Sequence, residues 1–322
     1  MDFKRWPEFN ELPLDPSGPP GNAWGLWGRD DQLGMLNLLT PEVVAASARE
    51  IQRGIRISLD WPFDKPMFPT DGRKRFEHRI IPHADVPMND DEVYLNTQSS
   101  TQWDGFRHFG YKSARRFYNG HFQEDFQDSS KIGIDQWVIR GGIIGRGILL
   151  DWAEWATRNG REAKALQSGA ILLEDIKAII KEQRIEIHQG DILFLRVGFT
   201  VAYNALTDEE KQRYPDRRPG GLLGLEATEE SLRWLWESRF AAVASDSPSF
   251  ERGPVDGPHN HPDISIHQWA LAGWGLPLGE MFDLEELART ARRLGRYSFF
   301  LTSVPIKVPG GVASPPNAVA IF

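Results

Sequence analysis

Segments with the pattern of β-strands outnumber helical segments in this chain, and several of them follow one another with no helix between. Residues 55–61 alternate apolar and polar side chains, as a strand with one buried face does. Apolar runs predict further strands at 141–151, 190–198, 240–244 and 297–305. A doubly wound parallel sheet needs a helix between successive strands, so this order predicts a mixed α+β fold.

Helices are predicted where capping residues precede apolar periodicity. Thr40, Pro41 and Glu42 form a helix start, with threonine as N-cap, proline at the first helical position and an acid in the first turn. A capping box at 207–210 and Thr228 mark two further starts. Amphipathic segments at 173–183 and 264–274 complete the set of expected helices.

The predicted domain organisation is a single body with an N-terminal arm. Residues 1–23 are rich in Pro and Gly, which indicates an arm lying on the body or on a partner subunit, or else a disordered tail. No repeat and no linker divides residues 24–322, which we expect to form one domain.

Composition excludes several classes of function. The chain of 322 residues has no cysteine, which excludes disulfides, thiolate nucleophiles and cysteine-based zinc sites. A net charge of −8 without a Lys/Arg cluster argues against nucleic-acid binding. No apolar run of membrane-spanning length and no signal peptide is found, so we expect a cytoplasmic protein that acts on a small molecule.

The 12 Trp and 18 Phe indicate either an aromatic core or a pocket for a planar substrate.

Residues 97–108 concentrate the groups that could carry chemistry. The stretch Thr-Gln-Ser-Ser-Thr-Gln-Trp-Asp-Gly-Phe-Arg-His holds amides, hydroxyls, a carboxylate and an imidazole. The alternation at 92–97 predicts a strand running into this polar loop. Loops held by rigid elements commonly display catalytic groups, and Asp104 and His108 lie four residues apart here.

The same stretch resembles the signature His-x-Gly-Thr-His-x-Asp-x-Pro-x-His of the cyclase family, the metal-dependent hydrolases that include kynurenine formamidase and isatin hydrolase. Three of seven fixed positions are kept, and the aligned residues are Gln98, Ser100, Thr101, Gln102, Asp104, Phe106 and His108. Weaker resemblance continues through 37–42, 190–194, 245–247, 276–284 and 310–316. The resemblance implies the family's swivelling β/β/α fold, a barrel-like mixed sheet with peripheral helices, and a homodimer or homotetramer.

The resemblance also implies a metal site. In the family the first two histidines and the aspartate hold a divalent ion; here Gln98, Gln102 and Asp104 stand at these positions. A family histidine on a helix and a glutamate on the next strand complete the site, which points to His267 and Glu280, with Gln268 as the alternative helix residue. Glutamine oxygens are hard, weak donors that favour Mn, Mg or Ca over Zn. We expect Mn or Zn, with a metal-free site as the alternative.

Further histidines and aromatic residues could complete the site. His121 follows a turn just after the signature and could line the pocket, as could Trp103 and Phe106. His259 and His261 are one residue apart, which suits a metal on a strand but only solvation in a loop.

The function implied by the resemblance is hydrolysis of a cyclic or acyclic amide, lactam or lactone. His108 would be the acid/base, and Gln98, Gln102 or Thr101 would orient the substrate carbonyl. One alternative is a metal-independent lyase, isomerase or cyclase, in which His108 pairs with Asp104 or with Glu280 as catalytic residue. The other is a non-catalytic protein that binds a small molecule.

Overall fold

The structure of this protein is a computed structural model, and it describes residues 5–217, 220–255 and 264–322. The strands in these ranges are β1 (Arg56–Ser58), β2 (Glu77–His83), β3 (Met88–Tyr94), β4 (Gln102–Asp104), β5 (Ile143–Asp151), β6 (Gly169–Ile171), β7 (Ile192–Arg196), β8 (Leu223–Leu225), β9 (Ala242–Ser245), β10 (Leu278–Glu280), β11 (Ser298–Ser303), β12 (Ala313–Ser314) and β13 (Ala318–Ile321).

The α-helices are mostly short and lie between these strands. They are α1 (Pro41–Ser47), α2 (Asp135–Arg140), α3 (Trp152–Arg158), α4 (Leu173–Gln183), α5 (Phe199–Asn204), α6 (Asp208–Arg213), α7 (Glu229–Ser238) and α8 (Glu285–Leu294). A π-helix covers Gln268–Trp274. Short 3₁₀ turns lie at Phe9–Glu11, Gly34–Leu38, Ala48–Glu50, Tyr118–Gly120, Gln123–Phe126 and Tyr214–Asp216. Among the described residues, no helix has the length and apolarity that crossing a bilayer requires.

One curled sheet organises the fold, with strand order β1-β13-β11-β5-β7-β9-β10-β4-β12. The four middle strands, β5, β7, β9 and β10, run parallel, and antiparallel strands flank them on both sides. The sheet forms a half-barrel with helices around it, which confirms the predicted mixed α+β fold. The parallel strands β7 and β9 are buried at every residue, as expected of strands covered on both faces.

The predicted helix starts are confirmed by their caps. Thr40 accepts a hydrogen bond from the Val43 amide at 3.3 Å, and α1 begins directly after it. The reciprocal bonds of Thr207 and Glu210 begin α6, and Thr228 accepts from the Ser231 amide at the start of α7. These signals act within one helical turn, so local sequence suffices to predict them.

The strand predicted at 92–97 is wrong in its extent. The strand β3 ends at Tyr94 and pairs with β2 in a separate two-stranded hairpin. Every residue of β3 is exposed, including Val93 at 54%. Alternation marks a strand but does not show whether either face will be covered.

The N-terminal segment lies against the body of the same chain. The Phe9 ring stacks on Trp269 with centroids 5.7 Å apart. The indole N–H groups of Trp236 and Trp274 donate to the carbonyls of Pro7 and Gly21, both at 2.9 Å. Residues 5–23 therefore form a packed arm, while the division into an arm and one domain stays a prediction.

The pairing of β4 with β10, near one end of the sheet, brings the signature segment onto the core. Gly279 lies opposite Trp103 in the register of these two strands. A Cβ at Gly279 would lie 2.8 Å from both the Trp103 ring and the Ala244 Cβ, so only glycine lets this ring pack. The Trp103 ring meets Phe194 and Phe282 in the core beneath the strands.

Candidate active site

Strand β4 directs two polar side chains to one face of the sheet. Side chains alternate along a strand, so Gln102 and Asp104 share a face and Trp103 takes the other. The antiparallel register places Glu280, the last residue of β10, directly opposite Gln102. The Gln102 Nε2 donates to Glu280 Oε2 at 2.8 Å. This pair forms the floor of a buried polar cluster.

Gln98 joins the cluster from the turn that precedes β4. The Asn96 side chain accepts from the Gln98 amide at 2.9 Å and shapes this turn. Gln98 Nε2 donates to Asp104 Oδ1, and Gln98 Oε1 accepts from Gln102 Nε2 at 3.4 Å. The two glutamine amides therefore link the two carboxylates, with N–H groups directed at both.

His267 completes the cluster from the residue that precedes the π-helix. Its Nε2 lies 3.1 Å from Glu280 Oε1. Gln268 faces elsewhere, because its Oε1 accepts from the Lys112 amide and its Nε2 donates to Ser265 Oγ, both at 2.9 Å. Of the two alternatives that the sequence left open, His267 is the residue that meets Glu280.

Glu251 is a member of the cluster that sequence reasoning missed. It is fully buried, and its Oε1 lies 2.8 Å from His267 Nδ1. It follows β9 in a stretch without a recognisable motif, and its partner lies 16 residues later. A single sequence carries no signal for this contact, because it depends on how the segment after β9 packs against the start of the helix that holds His267.

The ligand atoms of Asp104, His267 and Glu280 all lie within 4.8 Å of one another. Asp104 Oδ2 and Gln102 Oε1 are buried and have no hydrogen-bond partner in the described part of the chain. Buried oxygens without partners are costly unless a ligand or cation takes them up. Two carboxylates, one imidazole and a free amide oxygen form a donor set that fits a divalent ion such as Mn²⁺.

The electrostatics of the cluster favour added positive charge. Burial raises the pKa of Glu280, and the nearby negative charge of Asp104 raises it further. Burial alone would lower the pKa of His267, but its hydrogen bonds to Glu251 and Glu280 outweigh burial and raise that pKa well above its usual value. Two carboxylates crowded in a buried site are stabilised by positive charge, which the imidazolium or a cation can supply.

His108 lies at the edge of the cluster. A turn closed by the His108 amide and the Gly105 carbonyl at 2.9 Å brings it back over β4. Its Nε2 is 3.9 Å from Asp104 Oδ2, and its side chain is 19% exposed. Burial lowers the pKa of His108, and the charge of Asp104 only partly opposes this. A neutral, partly accessible imidazole at neutral pH is suited to accept a proton.

Four residues predicted to contact substrate have other contacts. Trp103 and Phe106 are fully buried, and Phe106 packs against Tyr118 and Trp137, so both belong to the core instead. The Thr101 hydroxyl donates to the Met281 carbonyl at 2.6 Å and accepts from the Trp61 amide at 2.8 Å. His121 lies 3.3 Å from Asp125 and beside Phe126, in a separate turn.

Two further segments were named from the sequence, and one of them lies within the described residues. His259 and His261 lie outside the described residues. Asp246, in the segment 245–247, is fully buried and accepts the backbone amides of Val197, Gly198 and Phe199 at 2.6 to 2.9 Å. It joins the end of β9 to the start of α5 and so supports the fold.

Comparison with known proteins agrees with the fold and the signature. The family model described as "Putative cyclase" matches residues 54–252. A crystal structure described as a novel cyclase is 30% identical, with a TM-score of 0.81, and the match covers 94% of this chain and 99% of that one. A search of curated proteins finds no significant match.

Isatin hydrolases share the fold at lower identity. Isatin hydrolase A from Labrenzia aggregata, solved with benzyl benzoate, is 17% identical with a TM-score of 0.60, over 88% of this chain and 98% of that one. Isatin hydrolase A from Ralstonia solanacearum is 15% identical with the same TM-score, over 88% and 97%. The family model covers more than half of the chain, and the novel cyclase matches nearly all of it. This protein belongs to the cyclase family.

Proposed function

We propose that this protein is a metal-dependent hydrolase of a C–N bond in an amide or lactam, or of an ester or lactone bond. The observation that carries the proposal is the convergence of the ligand atoms of Asp104, His267 and Glu280 within 4.8 Å, beside a buried Asp104 oxygen without a hydrogen-bond partner in the described chain. Membership of the cyclase family supports a hydrolytic reaction.

Asp104, His267 and Glu280 would hold the ion, with Gln102 Oε1 as a further oxygen in the same cluster. A divalent ion would supply Lewis acidity for a substrate carbonyl and would lower the pKa of a water molecule. The oxygen-rich donor set favours Mn²⁺, with Zn²⁺ as the other candidate.

His108 is the proposed acid/base. Its lowered pKa keeps the imidazole neutral at neutral pH, so Nε2 can take a proton from the attacking water. The same proton then passes to the leaving nitrogen or oxygen as the acyl bond breaks, which returns His108 to its neutral form. Partial exposure of the ring leaves room for this transfer at the mouth of the cluster.

Gln98 and Gln102 hold the two carboxylates in place. Both N–H groups of Gln102 are engaged, by Glu280 Oε2 and Gln98 Oε1, and one of Gln98 is engaged by Asp104. This arrangement supports a positioning role for the amides in place of the carbonyl-orienting role predicted from the sequence. Their N–H groups would counter the repulsion between Asp104 and Glu280.

The same amides favour one alternative, a metal-independent lyase, isomerase or cyclase. Amide N–H groups already satisfy Asp104 Oδ1 and Glu280 Oε2, and His267 bridges Glu280 to Glu251. Burial and Asp104 raise the pKa of Glu280, so in that case Glu280 would carry a proton that His108 could exchange.

Metal analysis separates the two functions. Protein purified without tags or chelators should contain bound Mn or Zn, and should hydrolyse members of an amide, lactam and lactone panel. Chelation should abolish turnover, and Mn²⁺ should restore it. Full turnover by metal-free protein would overturn the metal-dependent proposal and favour the alternative.

The double variant Gln98→His with Gln102→His should bind Zn²⁺ more tightly than the wild type, by about tenfold or more. Imidazole is a softer donor than an amide oxygen, and the change also removes the N–H groups that now compete for the carboxylates. Calorimetric titration with Zn²⁺ measures the gain. The exposed Gln123→His variant is the control for adding a histidine. An unchanged Zn²⁺ affinity would argue that the two positions do not face the ion.

The partner of this protein is proposed to be a small-molecule substrate, and its assembly a homodimer or homotetramer. The β2–β3 hairpin supports self-association, because its apolar residues Ile80 and Val93 are 62% and 54% exposed. Isolated hairpins are marginally stable in water, so contact with a second copy would stabilise it. Light scattering on the purified chain measures the mass, and a monomer would overturn this assembly.

A further inference from the structure

We propose that Glu251 is a positioning residue that fixes the tautomer of His267 and thereby makes its Nε2 available to a metal. Its carboxylate accepts the Nδ1–H of the imidazole, so that Nε2, 3.1 Å from Glu280 Oε1, is the nitrogen left for the ion. The inference rests on the proposed function, since it concerns the same ion.

The contacts of Glu251 show that its carboxylate accepts hydrogen bonds around the start of the His267 helix. Its Oε1 lies 2.8 Å from His267 Nδ1 and 3.1 Å from the His267 amide, and its Oε2 accepts from the Ile266 amide. The His267 ring is also held from another side, edge to face against Phe109 at 5.4 Å. The ring orientation is therefore determined by Glu251 and by packing together.

The backbone of Glu251 is held independently of His267. The Leu225 amide donates to the Phe250 carbonyl at 3.0 Å, and the Arg252 amide donates to the Leu225 carbonyl at 2.8 Å. Gly224 packs so closely that a Cβ there would lie 2.4 Å from the Glu251 carbonyl group. Strand β8 thus places Glu251, and the side chain then places His267.

The chemical argument is that an ionised carboxylate only accepts hydrogen bonds. The neutral imidazole of a metal-bound His267 therefore keeps its single ring proton on Nδ1, and Nε2 binds the ion. A glutamine at the same position could instead donate its amide N–H to Nδ1. That would favour the tautomer with its proton on Nε2, the nitrogen that faces Glu280, and so would block metal binding through that nitrogen.

The test titrates Glu251→Gln and the wild type with Mn²⁺ and monitors metal binding by electron paramagnetic resonance. Loss of such outer-shell partners typically weakens metal binding by about 10–100-fold, and we expect a change of this size. The matched control is Glu226→Gln. Glu226 also accepts a backbone amide at a helix start, that of Leu173 at 3.1 Å, and no histidine contact is seen for it in the described residues. This control should leave Mn²⁺ affinity unchanged.

A spectroscopic measurement distinguishes positioning from a merely structural role. In Zn²⁺-loaded protein with ¹⁵N-labelled histidine, the Nδ1–H of His267 should give a protected signal that is weakened or lost in Glu251→Gln. If Glu251→Gln does not fold, Glu251→Asp is compared with Glu251→Asn, because these two shorter side chains match each other in size. The aspartate variant, which only accepts, should bind Mn²⁺ more tightly than the asparagine variant.

The outcomes separate this inference from the proposed function. Wild-type protein that binds Mn²⁺, together with Glu251→Gln that binds it equally well and keeps the Nδ1–H signal, would overturn the inference alone. Equal Mn²⁺ affinities in the shorter pair would do the same. Wild-type protein that binds neither Mn²⁺ nor Zn²⁺ would overturn both the inference and the metal-dependent function.

Discussion

Replacing Asp104 with asparagine is expected to abolish both metal binding and turnover. Asp104 is fully buried, and its Oδ2 has no hydrogen-bond partner among the described residues, so the charge is available to an ion. Asparagine keeps the size of the side chain but removes the negative charge that binds a cation. We expect bound Mn or Zn to become undetectable by elemental analysis. We also expect kcat/KM to fall by about 10³-fold or more, because several kcal/mol of transition-state stabilisation would be lost.

The matched control is Asp175→Asn, which neutralises another buried aspartate. Asp175 contacts Trp152 and Arg161, away from the cluster. This variant should keep its metal and its activity, and it is measured at lower temperature if the lost ion pair reduces its stability. Metal retained at the wild-type level in Asp104→Asn would show that the ion is held elsewhere.

Replacing His108 with glutamine should reduce kcat/KM by about 10²–10⁴-fold, the usual loss when general acid/base help is removed. Metal content should stay at the wild-type level, because the His108 Nε2 lies outside the group of converging ligand atoms. Steady-state kinetics and elemental analysis on the same preparation measure both quantities. Turnover above about a tenth of wild type would mean that another group shuttles the proton.

His121→Gln is the control for His108, because it too removes a histidine that lies near an aspartate four residues away along the chain. It should leave kcat/KM unchanged.

The pH profile of the wild-type enzyme adds a second readout for His108. Burial lowers the pKa of His108 below its usual 6.5, so the neutral base persists to lower pH. Wild-type kcat/KM should therefore fall only as pH drops through this lowered pKa, and that acid limb should disappear in His108→Gln.

Features that depend on neighbouring residues were predictable from the sequence. The caps at Thr40, Thr207 and Thr228 begin helices where expected, because each bond closes within a few residues. The apolar runs at β5 and β7 form the middle of the sheet, since continuous apolar segments must be buried on both faces. The signature led to the cyclase family, which the family model and the structural match confirm.

Features that depend on distant contacts were decided by the tertiary structure. Trp103 belongs to the core and Gln102 to the cluster, because the pairing of β4 with β10 sets which face each side chain takes. Among the described strands β3 pairs only with β2, and every residue of β3 is exposed, which the alternation did not predict. The alternation within one segment predicts neither the register of its pairing nor which of its faces other elements will bury.

The sequence by itself determined the chemistry that is available: Asp104 and His108 four residues apart, two glutamines at usual histidine positions, and no cysteine. Only the tertiary structure decided which groups meet. It selected His267 over Gln268, and it added Glu251 to the cluster. The physical reason is that the buried polar cluster is assembled from two strands, a turn and a helix start that lie far apart in the sequence, and their approach depends on the packing of the whole sheet. Residue types limit what a site can do, and their meeting in space selects the residues that take part.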